Sequence, residues 1–276
     1  MHAPPLALAE VRLVGGSRWP MMRAGMFPFD IHNLGASFQR YFEIVPALTD
    51  ELREQAYRVR HQVYCEELKF EPTRPSGMEI DQYDAQSLHC LIRSLKINRF
   101  VGCTRLIRTD TDDPGRPLPF EKVCASSIDR SIVDPQALPR RNMAEVSRLA
   151  VISQFRSRRG EHSQPLPVND QSFGTQSQPR FPYIPLGLYL GTIELARLHG
   201  IDTLFVLTEP KLAKHFGKLG VKVTQIGGAI EHRGIRMPSM LRVLDIVDGL
   251  NAIMRPLYDV VASEVQAGMD AQRAFA

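Results

Sequence analysis

The run Ala144-Glu145-Val146-Ser147-Arg148-Leu149-Ala150-Val151-Ile152 sets an acid and a base among small or apolar residues. Valine and isoleucine favour the extended conformation, and so apolar a run predicts a central strand buried on both faces. A charge placed there costs free energy unless it is paired, so Glu145 and Arg148 must each have a partner or a task. Side chains alternate across a strand, so their three-residue spacing sends them to opposite faces unless a bulge shifts the register. A bulge would also turn a backbone N–H outward. Upstream, Met78-Glu79-Ile80-Asp81-Gln82-Tyr83-Asp84 places three carboxylates within six residues, and Arg60 and Arg105 lie in apolar surroundings that argue for burial. Glu79, Asp81 and Asp84 can satisfy Arg60, Arg105 and Arg148 in a single cluster. The same acids could instead hold calcium or magnesium, but they offer too few oxygens in sequence and sit beside a surplus of arginine. His61 and Cys65, one helical turn apart, have the spacing of a thiol and its base, although buried helix cysteines are usually inert.

The elements that must position these residues follow from pattern. Residues 1 to about 36, with Pro4, Pro5, Gly15, Gly16 and Pro20, show no sustained periodicity and read as an irregular extension. Phe38, Tyr41, Phe42 and Ile44 suggest a strand entry. Thr49 or Asp50 then caps a helix running to about Glu67, with Leu52, Ala56, Val59 and Val63 on one face. Leu88–Leu95 and Phe100–Arg108 read as a hairpin turning near Asn98. The proline-rich stretch 109–142 is a long connection with one short helix around Glu121–Ser126. Residues 153–182, rich in Arg, Gln, Ser and Pro, form a functional or mobile loop too long for an ordinary connection. Pro185 opens a buried helix through Leu198, and Gly200 follows its end. A strand at Thr203–Leu207 comes next, then a helix from Pro210 that Gly220 ends. Strands at Val221–Ile226 and Ala229–Arg236 follow, and a final helix from Leu241 to about Gln266 is kinked near Pro256. The order predicts a mixed α/β (α+β) sheet in one domain, 37–240, with extensions at 1–36 and 241–276.

At 276 residues, with 43% hydrophobic and 23% charged residues, the chain has the composition of a soluble globular protein. No apolar run approaches the roughly 20 residues of a membrane span. Leu6 to Val14 is broken by Glu10 and Arg12, so a secretory signal is not expected and a cytoplasmic location is. Cys65, Cys90, Cys103 and Cys124 show no zinc-type spacing and read as reduced thiols, so no metal is expected. The net charge of +4 is modest, but Arg140, Arg141, Arg148, Arg156, Arg158, Arg159 and Arg180 crowd one segment. Such a patch attracts an acidic protein, nucleic acid or phosphate, or is a solvated loop face.

Four charged motifs carry a family resemblance. Arg60 followed by Tyr64, Glu79-Ile80-Asp81-x-x-Asp84, Val101-Gly102-x-x-Arg105-Leu106 and Glu145-Val146-Ser147-Arg148 resemble, in order and spacing, the signature of autoinducer (acyl-homoserine-lactone) synthases and N-acyl amino acid synthases. Tyr57-Arg58-Val59-Arg60-His61-x-Val63-Tyr64-Cys65-x-Glu67, Thr208-Glu209-Pro210, Gly227 and Gly234-x-Arg236-x-Pro238 look closer still to the PEP-CTERM/exosortase system-associated acyltransferases. The resemblance covers roughly residues 38–258.

It implies a GNAT-type fold, with a mostly antiparallel sheet flanked by helices and a bulged central strand. It also implies acyl transfer from a thioester to the amine of an amino acid or similar metabolite. Acetyl-CoA-dependent members of that fold follow the bulged strand with a glycine-rich pyrophosphate loop. Here Gln154-Phe155-Arg156-Ser157-Arg158-Arg159-Gly160 has the wrong glycine spacing and then a long insertion. That departure fits a phosphopantetheine thioester on acyl carrier protein, docked by Arg156, Arg158 and Arg159, better than acyl-CoA, and no permanently bound cofactor or nucleic acid. The attacking amine must be neutral, so a base is needed, and a partly buried carboxylate with a raised pKa suits it. Glu145 is the first candidate and Glu79 the second, with Arg148 beside them; otherwise both acids are structural members of the arginine cluster. Arg60, Tyr64, Phe70, Asp81, Asp84, Arg105 and Ser147 are the implied substrate-binding residues, Tyr64 and Phe70 as aromatics flanking an acyl cleft. The rival readings are a lactone synthase that uses S-adenosylmethionine and a non-catalytic module that holds carrier protein.

Overall fold

Helical periodicity around Leu52–Val63 and a capping threonine place the first long element. After α1 (Leu34–Gln39) and β1 (Phe42–Pro46), α2 spans Asp50–Arg60, and the Thr49 hydroxyl accepts a hydrogen bond from Leu52 N at 3.3 Å. The helix then widens into a π-helical stretch, His61–Glu67, that ends near Lys69 at φ 55°. Such widened turns recur at functional sites. The computed structural model describes residues 34–110, 112–156, 183–218 and 220–275.

The predicted hairpin forms as β2 (Ser87–Ser94) and β3 (Arg99–Arg108), with Asn98 in the left-handed region at φ 47°. The connection after it holds α3 (Pro119–Val123) and leads into β4 (Met143–Val151) and the single turn α4 (Ser153–Arg156). Then come α5 (Tyr183–Leu198), β5 (Thr203–Thr208), α6 (Pro210–Lys218), β6 (Thr224–Gln225), β7 (Ile230–Glu231), β8 (Ile235–Arg242), α7 (Val243–Gly249) and α8 (Arg255–Phe275). The strands order as β1-β2-β3-β4-β5-β8-β6 with β7 beside β8, antiparallel throughout except β4 with β5. This is the expected mostly antiparallel α/β sheet flanked by helices.

Neighbouring side chains on β3 show which helices cover which face. Thr104 Oγ1 meets Thr192 Oγ1 of α5 at 2.5 Å, while Cys103 Sγ turns the other way toward Ala56 O of α2. α5 and α8 therefore cover one face, and α2 and α3 the other. On the first face Leu188, Leu195, Leu257, Val261 and Val265 are all nearly inaccessible. The C-terminal segment thus shares the main core, as do Leu34 and Phe38 of α1. On the second face Ile107, Leu118, Phe120, Met143, Phe205 and Ile226 form a smaller apolar group.

Two sequence expectations near the C-terminus need correction. β8 runs through Pro238, whereas a strand ending at Arg236 and a helix starting at Leu241 were expected. Pro238 is tolerated because its missing N–H falls on the side of two-residue β6, where its carbonyl still accepts from Ile226 N at 2.9 Å. The helical break lies at residues 250–254, and Pro256 sits in the first turn of α8, where proline costs nothing, rather than at a kink.

The second face also carries the charged cluster. Arg60, 0% exposed, donates through Nε to Glu79 and through Nη1 and Nη2 to Asp84 at 2.6 and 3.0 Å. Arg105 Nη1 donates to Asp81 at 2.7 Å and Asp84 at 3.0 Å, and Arg148 Nη2 to Glu79 at 3.0 Å and Asp81 at 3.3 Å. Three acids and three arginines close on one another as the sequence suggested, which ties α2, the 79–84 loop, β3 and β4 together. Burial alone would raise the carboxyls of Glu79 and Asp84, but their arginine hydrogen bonds prevail and hold both down at about 2.

Three outcomes follow. Asp84→Asn strips Arg60 and Arg105 of a shared counter-charge and should cost about 3–5 kcal/mol in a denaturant melt. Because Glu79 and Asp84 have lowered values, their contribution is complete above pH 4.5 and disappears as pH falls toward about 2, so the wild type should show an acid transition there that Asp84→Asn blunts. Gly102→Ala would bring a Cβ to 2.8 Å from the Ala150 carbonyl oxygen, a backbone atom, and should cost about 1–3 kcal/mol by overpacking in the same assay.

Candidate active site

β4 carries one extra residue against β3. Arg105 pairs with Ser147, but Cys103 pairs with Ala150, so two steps on β3 match three on β4. The excess is absorbed at Arg148, which stands in the left-handed region at φ 52°. An arginine adopts that conformation at a cost and needs surroundings that impose it. Its guanidinium bonds to Glu79 and Asp81 supply them. The bulge brings Arg148 to the face that already holds Glu145, Ser147 and Arg105, which resolves the parity conflict in the sequence.

At the same place the sheet opens. β4 and β5 pair from Met143 with Thr203 to Val146 with Val206, and no farther, although β4 continues to Val151 and β5 to Thr208. Burial falls accordingly at Ser147, Arg148 and Leu149 on one strand and at Val206 and Leu207 on the other. Tyr64, on the π-helical stretch, donates its hydroxyl to Leu149 O at 3.0 Å, and the Arg148 guanidinium lies 5.5 Å from its ring centroid. Burial pushes the Tyr64 phenol up to about 12, so it stays a donor. Thr208 Oγ1 is buried at the end of β5 with no hydrogen-bond partner among the described residues. Parted parallel strands, a bulge, an anchored tyrosine and, among the described residues, an orphan hydroxyl mark an opening in the sheet.

The expected residues distribute unevenly around it. Arg60, Glu79, Asp84 and Arg105 are buried in the cluster, with Asp81 and Arg148 at its partly exposed edge. The oxygens of all three acids are spent on arginine. Glu79, held at about 2, is a poor proton acceptor from an amine. Ser147 Oγ accepts from Arg105 Nε at 3.1 Å. Glu145 departs from the structural alternative, because its Oε2 accepts from Phe120 N at 2.7 Å and no ion pair joins it to an arginine among the described residues. It packs by register between Ile107 and Phe205, 5% exposed, and burial pushes its carboxyl up to about 7 against the opposing pull of the Phe120 bond.

Two grooves, of about 610 and 370 Å³, open around Arg108 and Ala85; neither is lined by Glu79, Glu145 or Arg148. The His61–Cys65 pairing does not form: His61 Nε2 accepts from Arg74 N at 3.0 Å, its Nδ1 lies 3.2 Å from Glu66, and burial raises the Cys65 thiol. Arg156 turns inward onto Glu67, so it is not part of an exposed docking patch, and Arg158 and Arg159 lie outside the described residues with most of the 153–182 loop.

Several participants went unnoticed in sequence. Glu67 accepts from Ser153 N at 3.1 and 3.0 Å and from Ser153 Oγ at 3.1 Å, which fills the turn that follows β4. Glu209 takes Arg236 at 2.6 Å, and Glu71 takes Arg233 from 162 residues away. Thr208-Glu209-Pro210 and Gly234-x-Arg236 were visible as motifs, but their pairing was not. Phe70, expected beside an acyl chain, lies under Arg233, 5.4 Å from ring centroid to guanidinium.

Residues 59–163 match the acetyltransferase (GNAT) domain family. No curated protein sequence matches the chain. Among solved structures, TofI in a ternary complex with an inhibitor and MTA superposes with a TM-score of 0.53 at 18% identity, over 80% of this chain and 99% of that one. The AHL synthase LasI gives 0.50 at 18%, over 76% and 95%. BjaI, a CoA-dependent acyl-homoserine lactone synthase with MTA, gives 0.50 at 20%, over 82% and 90%. No helix among the described residues is long and apolar enough to cross a membrane. The match to the acetyltransferase (GNAT) domain family thus falls within a fold that the chain shares with acyl-homoserine-lactone synthases.

Proposed function

We propose that this chain is an N-acyltransferase that moves a fatty acyl group from a thioester to the amine of an amino acid or a similar metabolite. The observation that carries the reading is the parting of β4 from β5 at the Arg148 bulge, where we infer that backbone N–H groups of β4 face the opening. A thioester carbonyl laid there gains an oxyanion site; attack by the neutral amine breaks the carbon–sulfur bond and releases the thiol. The donor we favour is acyl carrier protein, met in the cytoplasm. Ser153 N and Arg156, which a diphosphate would need at the turn after β4, are already engaged by Glu67.

Glu145 is the proton acceptor in this reading. It shares a face with Ser147, two residues on and about 7 Å along the strand, so a relayed proton has a short path. A carboxyl near 7 can take that proton at neutral pH, which Glu79 cannot. Arg148 and Glu79 hold the bulge in shape, with Arg60, Asp81, Asp84 and Arg105 behind them.

A second reading, lactone synthesis from S-adenosylmethionine, is favoured by the solved structures of similar fold. Both readings acylate an amine and differ in product. Purified protein incubated with acyl carrier protein thioesters, acyl-CoAs and a panel of amines, with products identified by mass, should yield an open-chain N-acyl amino acid. A lactone would establish the second reading, and no acylated amine from any donor would overturn both.

Glu145→Gln should lower kcat by about 10²–10³-fold and remove the limb of the pH–rate profile near pH 7. The same substitution should help stability. Glu145 has a raised folded value, so its contribution is whole below pH 4.5 and is lost as pH climbs through about 7. Glutamine keeps the Phe120 bond without the charge, so thermal melts at pH 8 should show the variant ahead by as much as about 3 kcal/mol and level with wild type near pH 4.5. Unchanged turnover would leave Glu145 a purely structural acid.

A further inference from the structure

The turn between β7 and β8 reaches the site from far along the chain. Its tip residue Arg233 stands at φ 54° and Gly234 at φ 97°, and the turn is fixed by His232 N to Gly234 O at 2.9 Å, Gly234 N to Glu231 Oε1 at 2.9 Å and Arg236 Nη2 to Arg233 O at 3.1 Å. A non-glycine residue held left-handed is a strained feature of the kind that gathers at binding sites. Arg233 lies over the Phe70 ring and pairs with Glu71, and the same Glu71 carboxylate lies 3.8 Å from Arg148 Nη2 at the β4 bulge. Two guanidiniums from elements distant in sequence thus converge on one carboxylate beside the cleft.

We propose that Arg233 selects the acceptor by binding its carboxylate in the position that Glu71 fills in the free protein. The inference rests on the acyl-transfer reading above and names the acceptor class, an amine bearing a carboxylate close by. A guanidinium fork recognises a carboxylate through paired charge-assisted bonds, and the Phe70 ring holds that fork flat and oriented. The side chains of Arg233 and Glu71 are 33% and 22% exposed, so their pairing is partly screened and an incoming carboxylate displaces Glu71 at little cost. In an α-amino acid two bonds separate the amine nitrogen from the carboxylate carbon, so a carboxylate seated between Arg233 and Arg148 delivers the amine to the bulge. Arg236, pinned on Glu209 at 2.6 Å, fixes the base of the turn and leaves Arg233 at its tip.

The test compares an amino acid that serves as acceptor with its methyl ester, as the ratio of their kcat/KM values. Arg233→Gln should reduce that preference by about 10–100-fold, Arg233→Lys should keep part of it, and Glu71→Gln, which removes the competing carboxylate, should increase it. Equal loss on both acceptors, or an unchanged ratio, overturns the assignment while leaving acyl transfer intact. Acylation of neither acceptor by the wild type overturns the acyl-transfer reading and carboxylate selection with it. If thermal melts show that Arg233→Gln does not fold, Glu71→Gln decides alone: a higher ratio supports the assignment and an unchanged one ends it.

Discussion

A guanidinium with no access to water must find carboxylates, and Arg60 is such a group. Burial works against its charge, but the hydrogen bonds it donates to Asp84 and Glu79 outweigh that and keep the cation firmly charged. Those two acids cannot serve Arg60 alone, because each has a second lone-pair direction to fill, and Arg105 and Arg148 fill them. The cluster is neutral in sum, three against three, and an arrangement that left out one member would bury a net charge. This requirement fixes where Arg148 must point. A regular strand would send it to the other face, so the backbone takes the left-handed step, β4 gains its extra residue, and the strand ceases to match β5 beyond Val146. The opening in the sheet is a consequence of charge neutrality in the core.

Much of that chain of cause was legible in sequence. Buried charges at Arg60, Arg105, Glu145 and Arg148 demanded partners, the 79–84 triplet offered them, and the three-residue spacing on β4 posed a choice between opposite faces and a bulge. What the sequence hid were partners without side-chain signatures. Membership of the cluster stayed open as the alternative for Glu145 because the backbone N–H of Phe120, its actual partner, is present in every residue and marks nothing. The Glu71–Arg233 contact joins two polar loops with no periodicity between them. Arg156 counted as exposed because its neighbours are arginines, yet Glu67, far upstream, draws it inward. β8 was cut short at Pro238 because proline usually ends a strand, and only the two-residue length of β6 explains why here it does not.

Glu79 and Glu145 show how one sheet face tunes two acids in opposite directions. Both are almost fully buried, and in both desolvation is the largest influence, favouring the neutral form. Glu79 accepts from two guanidiniums, which overcome that influence. Glu145 has an amide and apolar neighbours, which do not. The environments push the two acids apart: the ionised one holds cations in place and the other leans toward its neutral form.

The opening also needs something to stop the two parallel strands from zipping closed, since each unpaired backbone group is a lost hydrogen bond. Both sides are pinned. On the β4 side the Tyr64 hydroxyl, carried on the widened stretch after Arg60, occupies the Leu149 carbonyl. On the β5 side Glu209, just past the strand end, is drawn toward β8 by Arg236, while Pro210 begins α6 and ends any continuation of the ladder. Closing the sheet would therefore break a buried tyrosine bond and a partly buried ion pair, and it would require a proline to supply an N–H it does not have. The opening is held by the same backbone and side-chain bonds that build the fold.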